Sequence, residues 1–597
     1  MSSPPKITIV IQICGGLGNQ LFQYLFAKAN FASPQYQLIF DYSDNVGPNS
    51  KRPFVLEQLG LPGNFMHCQR QFFEKEGQQQ VRLTNIHWTT SDENCKDIRQ
   101  IAARVQKEDL LTEQVIIPPT ENTAYFGYWQ SYRYWGDPIP LLQGILKSIQ
   151  ASALYAQMLE QTQTLKIDPA VCAVHIRGGD YRQFLDYHGV CEAPYYEKAM
   201  VAKPASFYHL YTDDAKFASE VLGRITLDRP IINASQVIQD DQLEFLALLQ
   251  YSKLIIPNSS YSYLAAWFAK AQHAAIEVTA PYPWFSFQKE GPDMPSDWQV
   301  RNRVSGNTPE EDSQVIAGAR ISVVIPVQSR AEYLAGAVAT VLAQTHQPVE
   351  IIFSQNAAST AVKEKVSQLQ QQYPQIQVVD SLKGSLSLAR NQAIAIAKGE
   401  FIAFLDDDDV WEKDKLELQL NYAMRMSLDV VSCNYYEFSE SEPVLMQSRY
   451  TSKPNQSWLD ELSLANQFAG GSSILVRKGV FERVGWFDES MPAGEDRDMW
   501  WRMALAKEKM GFIEDVLVGY RKNTSNMSAN KNLMFQSELQ HLAKLLGTSA
   551  IKPELTQQFY EKLRNSLDHH LQIKQKPTSF ISRVKRKIRH HLGYGEK

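Results

Sequence analysis

Two runs of β-branched residues set the frame for this chain. Ile7–Ile13 reads ITIVIQI and runs into Cys14-Gly15-Gly16; far downstream, Ile321–Val327 reads ISVVIPV. Short apolar runs bounded by Gly or Pro are the mark of parallel strands buried on both faces, and each opens an α/β domain. Further strand-like runs follow, among them VCAVHI (171–176), FYHLYT (207–212), KLIIPN (253–258), VEIIFS (349–354) and FIAFLD (401–406). Helical periods at 241–251, 332–344 and 385–397 fall between them. This alternation predicts doubly wound parallel sheets with helices on both faces. Residues 296–319 are polar, with Gly, Pro and an acidic pair and no sustained period. They read as an interdomain linker, an ordinary surface loop being the alternative. The expected division is a first domain at 1–295, the linker at 296–319, a second domain at 320–530 and a helical extension at 531–597.

The length of 597 residues suits two large units or about four ordinary ones. An apolar fraction of 44% with 21% charged residues excludes a fibrous or mainly disordered chain. The net charge of −5 excludes binding to a polyanion by bulk charge, so no nucleic-acid partner is expected. Six scattered cysteines without a CxxC pair suit a reducing compartment rather than a disulfide scaffold or zinc ribbon. No apolar run reaches the roughly 18 residues that span a bilayer, and the first residues lack a signal-peptide core, so a cytoplasmic location is expected. At the far end, 574–589 holds seven Lys/Arg and no acid, and Phe580, Val584, Ile588 and Leu592 share a helix face. Such a basic amphipathic helix suits peripheral contact with an anionic membrane, while a solvated tail or a docked helix is the plainer alternative.

Three features of the first half carry chemistry. Gly15-Gly16-Leu17-Gly18-Asn19-Gln20 lies between a strand and a helix, where glycines let backbone approach a ligand closely. His175, Arg177 and Asp180 sit at the end of an apolar strand, where an open α/β sheet presents its ligand crevice. An arginine fork there suits a diphosphate, and an Arg–Asp pair closing a turn is the alternative. Asn258-Ser259-Ser260 follows the strand KLIIP and offers helix-capping or phosphate-binding groups.

Together with GYWQSYRYW (127–135), YTDD (211–214), the helical run 241–269 and PYPWF (281–285), these motifs resemble the bacterial α-1,2-fucosyltransferases of glycosyltransferase family 11 over residues 6–290. The resemblance implies a GT-B fold of two Rossmann-like lobes, GDP-fucose as donor, inversion at the anomeric carbon and no required metal. Carried over, Arg177 is the catalytic residue that neutralises the departing GDP. Gly16, Gly18, Asn19, His175, Asp180, Asn258, Ser259 and Ser260 line the donor site with it. The base for the acceptor hydroxyl stays open; Asp41 and Glu57 are available carboxylates, with nothing to choose either.

In the second half, Phe401–Leu405 runs into Asp406-Asp407-Asp408-Asp409. Adjacent carboxylates repel unless a cation or solvent separates them, which makes a strand end of this kind a candidate Mg²⁺ or Mn²⁺ site. Glu495-Asp496 opens a helical stretch, where a carboxylate could deprotonate a hydroxyl. The segments 321–345, 385–411, 470–489 and 494–504 resemble family 2 glycosyltransferases of the GT-A fold over 319–530. That resemblance implies Asp406 and Asp408 as the metal-binding DxD element, with Asp406 also on the donor, Asp496 as catalytic base, and Arg390 with Asn391 at a donor-side helix start. Two departures stand out. Gln355 and Asn356 occupy the place where an aspartate reads the base, and Asn523 stands where a histidine is common. Either amide could read a base edge, since it both donates and accepts.

The expectation is thus a two-headed inverting glycosyltransferase: an α/β chain with a GT-B-like domain, a GT-A-like domain and a helical basic tail. Its partners would be GDP-fucose, a second nucleotide-sugar and a galactoside-type glycan acceptor, with a lipid-linked acceptor of surface polysaccharide synthesis in view. The first domain would need no cofactor and the second Mg²⁺ or Mn²⁺. The departures at Gln355 and Asn356 keep open a single-activity fucosyltransferase whose second domain only binds acceptor or partner.

Overall fold

The computed structural model describes residues 6–548, with breaks of which 89–100 and 108–118 are the longest, together with residues 555, 558 and 561. The basic amphipathic segment at 574–592 lies outside the described residues. The chain divides into two compact units, Met1–Pro309 and Glu310–Lys597.

The first unit contains β1 (Ile7–Gln12), β2 (Tyr36–Asp41), β3 (Phe65–Lys75), β4 (Gln78–Trp88), β5 (Ile101–Lys107) and β6 (Thr123–Phe126). β1 pairs in parallel with both β2 and β6, and the antiparallel β3–β4–β5 meander closes the set into a barrel. This differs from the open Rossmann-like lobe expected at the N-terminus. The antiparallel β3–β4–β5 segment extends the sheet from β2, and β5 pairs in parallel with β6, which returns the sheet to β1.

The second sheet of this unit is wholly parallel: β7 (Val171–Ile176), β8 (Phe207–Thr212), β9 (Ile231–Asn233), β10 (Lys253–Ile255), β11 (Glu277–Tyr282) and β12 (Gln299–Asn302). Its order is β12-β11-β10-β7-β8-β9. The chain winds outward from β7 in one direction and from β10 in the other, so the strand order switches between these two. In open α/β sheets ligands bind outside the carboxyl ends of strands at such a switch. Every residue of β7 is buried, as its continuous apolar run requires.

The segment read as a linker is structured. Residues Gln299–Asn302 form the edge strand β12, and Pro309–Gly318 is a helix. An edge strand is held by main-chain pairing to one neighbour, so its polar side chains give no apolar period to read.

The second unit holds β13 (Ile321–Val327), β14 (Glu350–Asn356), β15 (Ile376–Ser381), β16 (Phe401–Phe404), β17 (Val410–Trp411), β18 (Val430–Phe438), β19 (Met446–Gln447), β20 (Leu475–Arg477) and β21 (Met510–Arg521). The order is β15-β14-β13-β16-β20-β18-β21-β17, parallel from β15 to β16 and antiparallel at β16–β20. Helices Leu334–Leu342 and Leu386–Ile396 fall where the helical period placed them. The helix Lys531–Leu546 is not a separate extension. Phe535, Leu539, Leu542 and Leu545 are buried in the same core as Trp500 and Met503.

Candidate functional sites

In the first unit, three separate loops meet at the switch point. Arg177 follows β7 and Ser259-Ser260 follow β10, and His175 Nδ1 hydrogen-bonds Ser262 Oγ between them. The Gly-rich turn joins from the other sheet. A Cβ on Gly18 would lie 2.5 Å from the Tyr261 nitrogen and 2.6 Å from the Ser260 carbonyl carbon, so only glycine permits this approach. Gly15 adopts φ +79°, which turns the chain out of β1. Two helix N-termini thereby come together, Leu17–Asn30 and Ser260–Gln272, and neither Gly16 nor Ser259 caps its helix with a side chain. Free N–H groups at two convergent helix starts favour an anion. Asn19 Oδ1 in this turn accepts from Gln130 Nε2 at 2.7 Å.

Arg177 is gripped by two carboxylates, Asp180 at 2.6 Å and Asp213 at 2.7 Å, and its guanidinium lies 5.1 Å from the Tyr181 ring centroid. Its buried Nε has no hydrogen-bond partner. Asp180 also binds Arg52 at 2.7 Å. His175 is buried against Ser262, and that burial, with the Arg177 charge beside it, holds its imidazole down at about 3. It is therefore a neutral prop for the loop. Asn258 is placed differently from a donor-facing residue: it is buried, and its amide donates to the His188 and Trp284 carbonyls at 2.8 and 2.9 Å. Asp41 is fully buried and accepts from the Ser43 N–H, so it holds a turn at the end of β2. Asp213 and Arg52 were absent from the expected site. The YTDD motif was visible in sequence, but nothing there showed that its first aspartate grips Arg177.

The second unit concentrates its polar groups beyond the carboxyl ends of β13, β14 and β16. Two adjoining cavities share Pro326, Arg330, Leu386, Asp407, Glu495 and Met527 in their walls. The larger, about 660 Å³, also has Gln328, Asn356 and Ser385 in its lining; the smaller, about 360 Å³, has Asp406, Asp408, Tyr435, Phe468 and Asp496. Of the amide pair ending β14, Asn356 lines the cleft, with its buried Oδ1 unpartnered. Gln355 is buried at the preceding position.

The four aspartates divide their work. Asp406 binds Arg390 at 3.0 Å and keeps 28% of its side chain exposed. Asp407 and Asp408 are both gripped by Arg330, and Asn523 donates to Asp408 Oδ2 at 3.0 Å. Asp409 turns inward, accepting from Ser472 Oγ at 2.6 Å and the Arg521 N–H at 3.0 Å. Burial pushes the Asp407 carboxyl up to about 7, with its acidic neighbours adding to the shift against Arg330. Burial raises Asp408 and Asp409 as well.

Behind them, Arg390 is fully buried, with Nη1 on Glu495 at 2.6 Å and its guanidinium 5.5 Å from the Phe487 centroid. Asn391 ties the same helix to the Phe487 main chain and to Glu489. Asp496 lies in the first turn of the helix Glu495–Leu505, which is preceded by Gly494, left-handed at φ +66°. Asp496 Oδ1 accepts from the Arg497 N–H at 2.7 Å, and Oδ2 faces Gly470, where an added Cβ would lie 3.7 Å away. Oxygen ligands of this type fit a hard divalent ion, with Asp406 accessible and Asp408 engaged by Arg330 and Asn523. Among the described residues no cluster of three His, Cys, Asp or Glu is poised around a metal. No helix among them is long and apolar enough to cross a membrane.

Comparison with known proteins bears on the second unit. Residues 322–485 match the family model for glycosyl transferase family 2. An uncharacterized glycosyltransferase of Rickettsia typhi is 28% identical over 222 residues, covering 35% of this chain and 67% of that protein. Glycosyltransferase GlyG of Streptococcus pneumoniae is 29% identical (35% and 72%), and the putative teichuronic acid biosynthesis glycosyltransferase TuaG of Bacillus subtilis is 27% identical (35% and 82%). Among solved structures, S. aureus TarS is similar at 16% identity and TM-score 0.33, covering 41% of this chain and 43% of that one. The match spans less than half of that structure's chain, and a score this low has no bearing on function. The match over residues 322–485 supports a family 2 glycosyltransferase domain in the second unit, with an α/β, GT-A-like fold.

Proposed function

We propose that this chain is a two-site inverting glycosyltransferase of surface polysaccharide synthesis. The observation that carries the reading for the second unit is Asp496 at a helix start, on the same small cavity as Asp406 and Asp408. Asp496 accepts the proton of the acceptor hydroxyl while that oxygen attacks the anomeric carbon of the donor sugar. The bond from that carbon to the diphosphate breaks, and the electron pair leaves on the nucleoside diphosphate. Attack opposite the leaving group inverts the anomeric centre. Asp406 and Asp408 would hold Mg²⁺ or Mn²⁺, which when bound supplies positive charge to the leaving diphosphate. Asn356 faces the larger cavity with an acceptor that a base N–H would satisfy, and Arg390 holds Asp406 and Glu495 in place. The name of the Bacillus relative supports the polysaccharide assignment.

For the first unit the proposal is α-1,2 transfer of fucose from GDP-fucose to a galactoside-type hydroxyl. Its support is the convergence of Arg177 and two helix N-termini at one switch point. Arg177 stabilises charge on the departing GDP. Gly16, Gly18, Asn19, Ser259 and Ser260 form the anion-facing wall. Joined sites would raise the effective concentration of the first product at the second site. The acceptor would be a glycan, with a lipid-linked one brought to the chain by its basic tail.

The test is donor consumption by the full chain with UDP- and GDP-sugars in the presence of Mn²⁺. Asp496→Asn should abolish transfer by the second unit while leaving nucleotide-diphosphate binding intact. Unchanged transfer would remove Asp496 from its role. Turnover of GDP-fucose with no second donor ever consumed, acceptor glycans supplied, would favour the single-activity alternative.

A further inference from the structure

Three carboxylates of the acidic strand end, Asp406, Asp407 and Asp408, have an arginine partner, and one of those arginines stands where a metal ion would be needed. Arg330 follows β13 by three residues and reaches Asp407 with Nη2 and Asp408 with Nη1. Asp408 Oδ2 also receives the Asn523 amide at 3.0 Å. A carboxylate oxygen offers about two lone-pair directions, and both on this atom are taken. A divalent ion can use Asp408 Oδ2 only after Arg330 or Asn523 has left it, and Arg330 is the occupant whose positive charge opposes the ion. Departure of Arg330 alone would strand two buried carboxylates, 3% and 6% exposed, beside a third. Breaking a buried ion pair on one side is costly unless another cation replaces the first.

We infer that Arg330 is an internal counter-cation that exchanges with the divalent ion, so that metal loading and donor binding are coupled. The side chain lines both cavities and is 27% exposed, so it has room to turn out of the acidic pocket. On leaving, its planar fork faces the larger cavity, where it suits the diphosphate of a nucleotide-sugar. Arrival of the diphosphate therefore favours release of Asp408, and release of Asp408 favours the metal. By linkage the effect is reciprocal: nucleotide diphosphate tightens the metal, and metal tightens the nucleotide diphosphate. The inference rests on the metal assignment proposed above.

The experiment measures Mn²⁺ binding to the full chain by the loss of the free-ion electron paramagnetic resonance signal, first with Mn²⁺ alone. The wild-type chain should bind weakly through this site. Arg330→Gln should bind at least about tenfold more tightly, because one charge-assisted contact no longer competes for Asp408. Adding Asp408→Asn to that variant should remove the gain. Arg330→Lys, which keeps a charge but cannot bridge two carboxylates, should bind severalfold more tightly than wild type and guards against misfolding of the glutamine variant. In wild type, UDP or GDP should tighten Mn²⁺ beyond the nucleotide's own chelation, and this coupling should vanish in Arg330→Gln. Equal Asp408-dependent affinity in all three chains overturns the exchange and leaves the metal assignment standing. Absence of any Asp408-dependent binding overturns both.

Discussion

Replacing Arg390 by methionine should cost the second unit much of its stability. Arg390 is 2% exposed and sits between Glu495 at 2.6 Å and Asp406 at 3.0 Å. Methionine keeps part of the volume between Phe404 and Phe487 but removes the charge. Glu495 is then a buried carboxylate next to Asp496 with no cation. Removing one partner of a buried pair typically costs about 3–5 kcal/mol. A domain's total stability is about 5–15 kcal/mol, so the loss is a large share of it. At about 2–4 °C per kcal/mol for a domain of this size, melting should fall by roughly 6–20 °C. Calorimetry of the full chain, scanning for the transition that moves, reads this directly. A pH series gives the sign. Burial raises the Glu495 carboxyl even with Arg390 present, and without Arg390 it rises further. A carboxyl raised in the folded state binds more protons folded than unfolded, so stability is lost as pH rises through its folded value. The variant should be closest to wild type at acidic pH and fall away toward neutrality. Adding Glu495→Gln should restore part of the loss. A drop below about 1 kcal/mol, or a Glu495→Gln effect that simply adds, would refute the view of Arg390 as the counter-charge that keeps this wall of the cleft folded.

Other expectations concern single sites. Arg177→Ala should reduce GDP-fucose turnover about 10²–10³-fold, since one electrostatic donor is lost at the leaving group; turnover within a few-fold of wild type would exclude the role. Gly18→Ala should unfold or strongly destabilise the first unit, because the new Cβ meets main-chain atoms of Ser260 and Tyr261 at 2.5–2.6 Å, and a melting temperature within about 2 °C of wild type would contradict that packing. Asp407 is raised to about 7 in the folded chain, so it costs stability as pH climbs from the ordinary carboxylate range to about 7. Asp407→Asn should flatten that slope in urea titrations at pH 5 and pH 8; an unchanged slope would assign it elsewhere.

Much of this architecture can be read from residue order. β7, β13 and the apolar run into β16 are continuous apolar segments because both faces are buried, and that pattern needs no partner to interpret. The switch-point site was legible as separate loops, since each motif ends its own strand. The contacts were not. Asp213 and Asp214 are equivalent in sequence, yet Asp213 grips Arg177 while Asp214 caps the next helix through the Phe217 N–H. Asp406 to Asp409 form one acidic run, and only the fold turns Asp409 inward onto Ser472. Asn258 sits among capping residues but is consumed by main-chain carbonyls. β12 escaped because its pairing is a main-chain property, and the closed first sheet escaped because its closure depends on polar antiparallel strands with no clear apolar face. Arg330 lies in an unremarkable Gln-Ser-Arg turn, and its weight comes from the two carboxylates brought to it by β16.

The measurement closest to the central claim is donor turnover by the purified full chain, offered GDP-fucose and a panel of UDP-, GDP- and dTDP-sugars, with acceptor glycans supplied, in Mn²⁺ or in EDTA. Two active sites of different chemistry should give GDP-fucose turnover that survives EDTA and fails in Arg177→Ala, beside turnover of a second donor that fails in EDTA and in Asp408→Ala. A chain that consumes one donor only, with one variant abolishing everything and the other changing nothing, would contradict the two-site account.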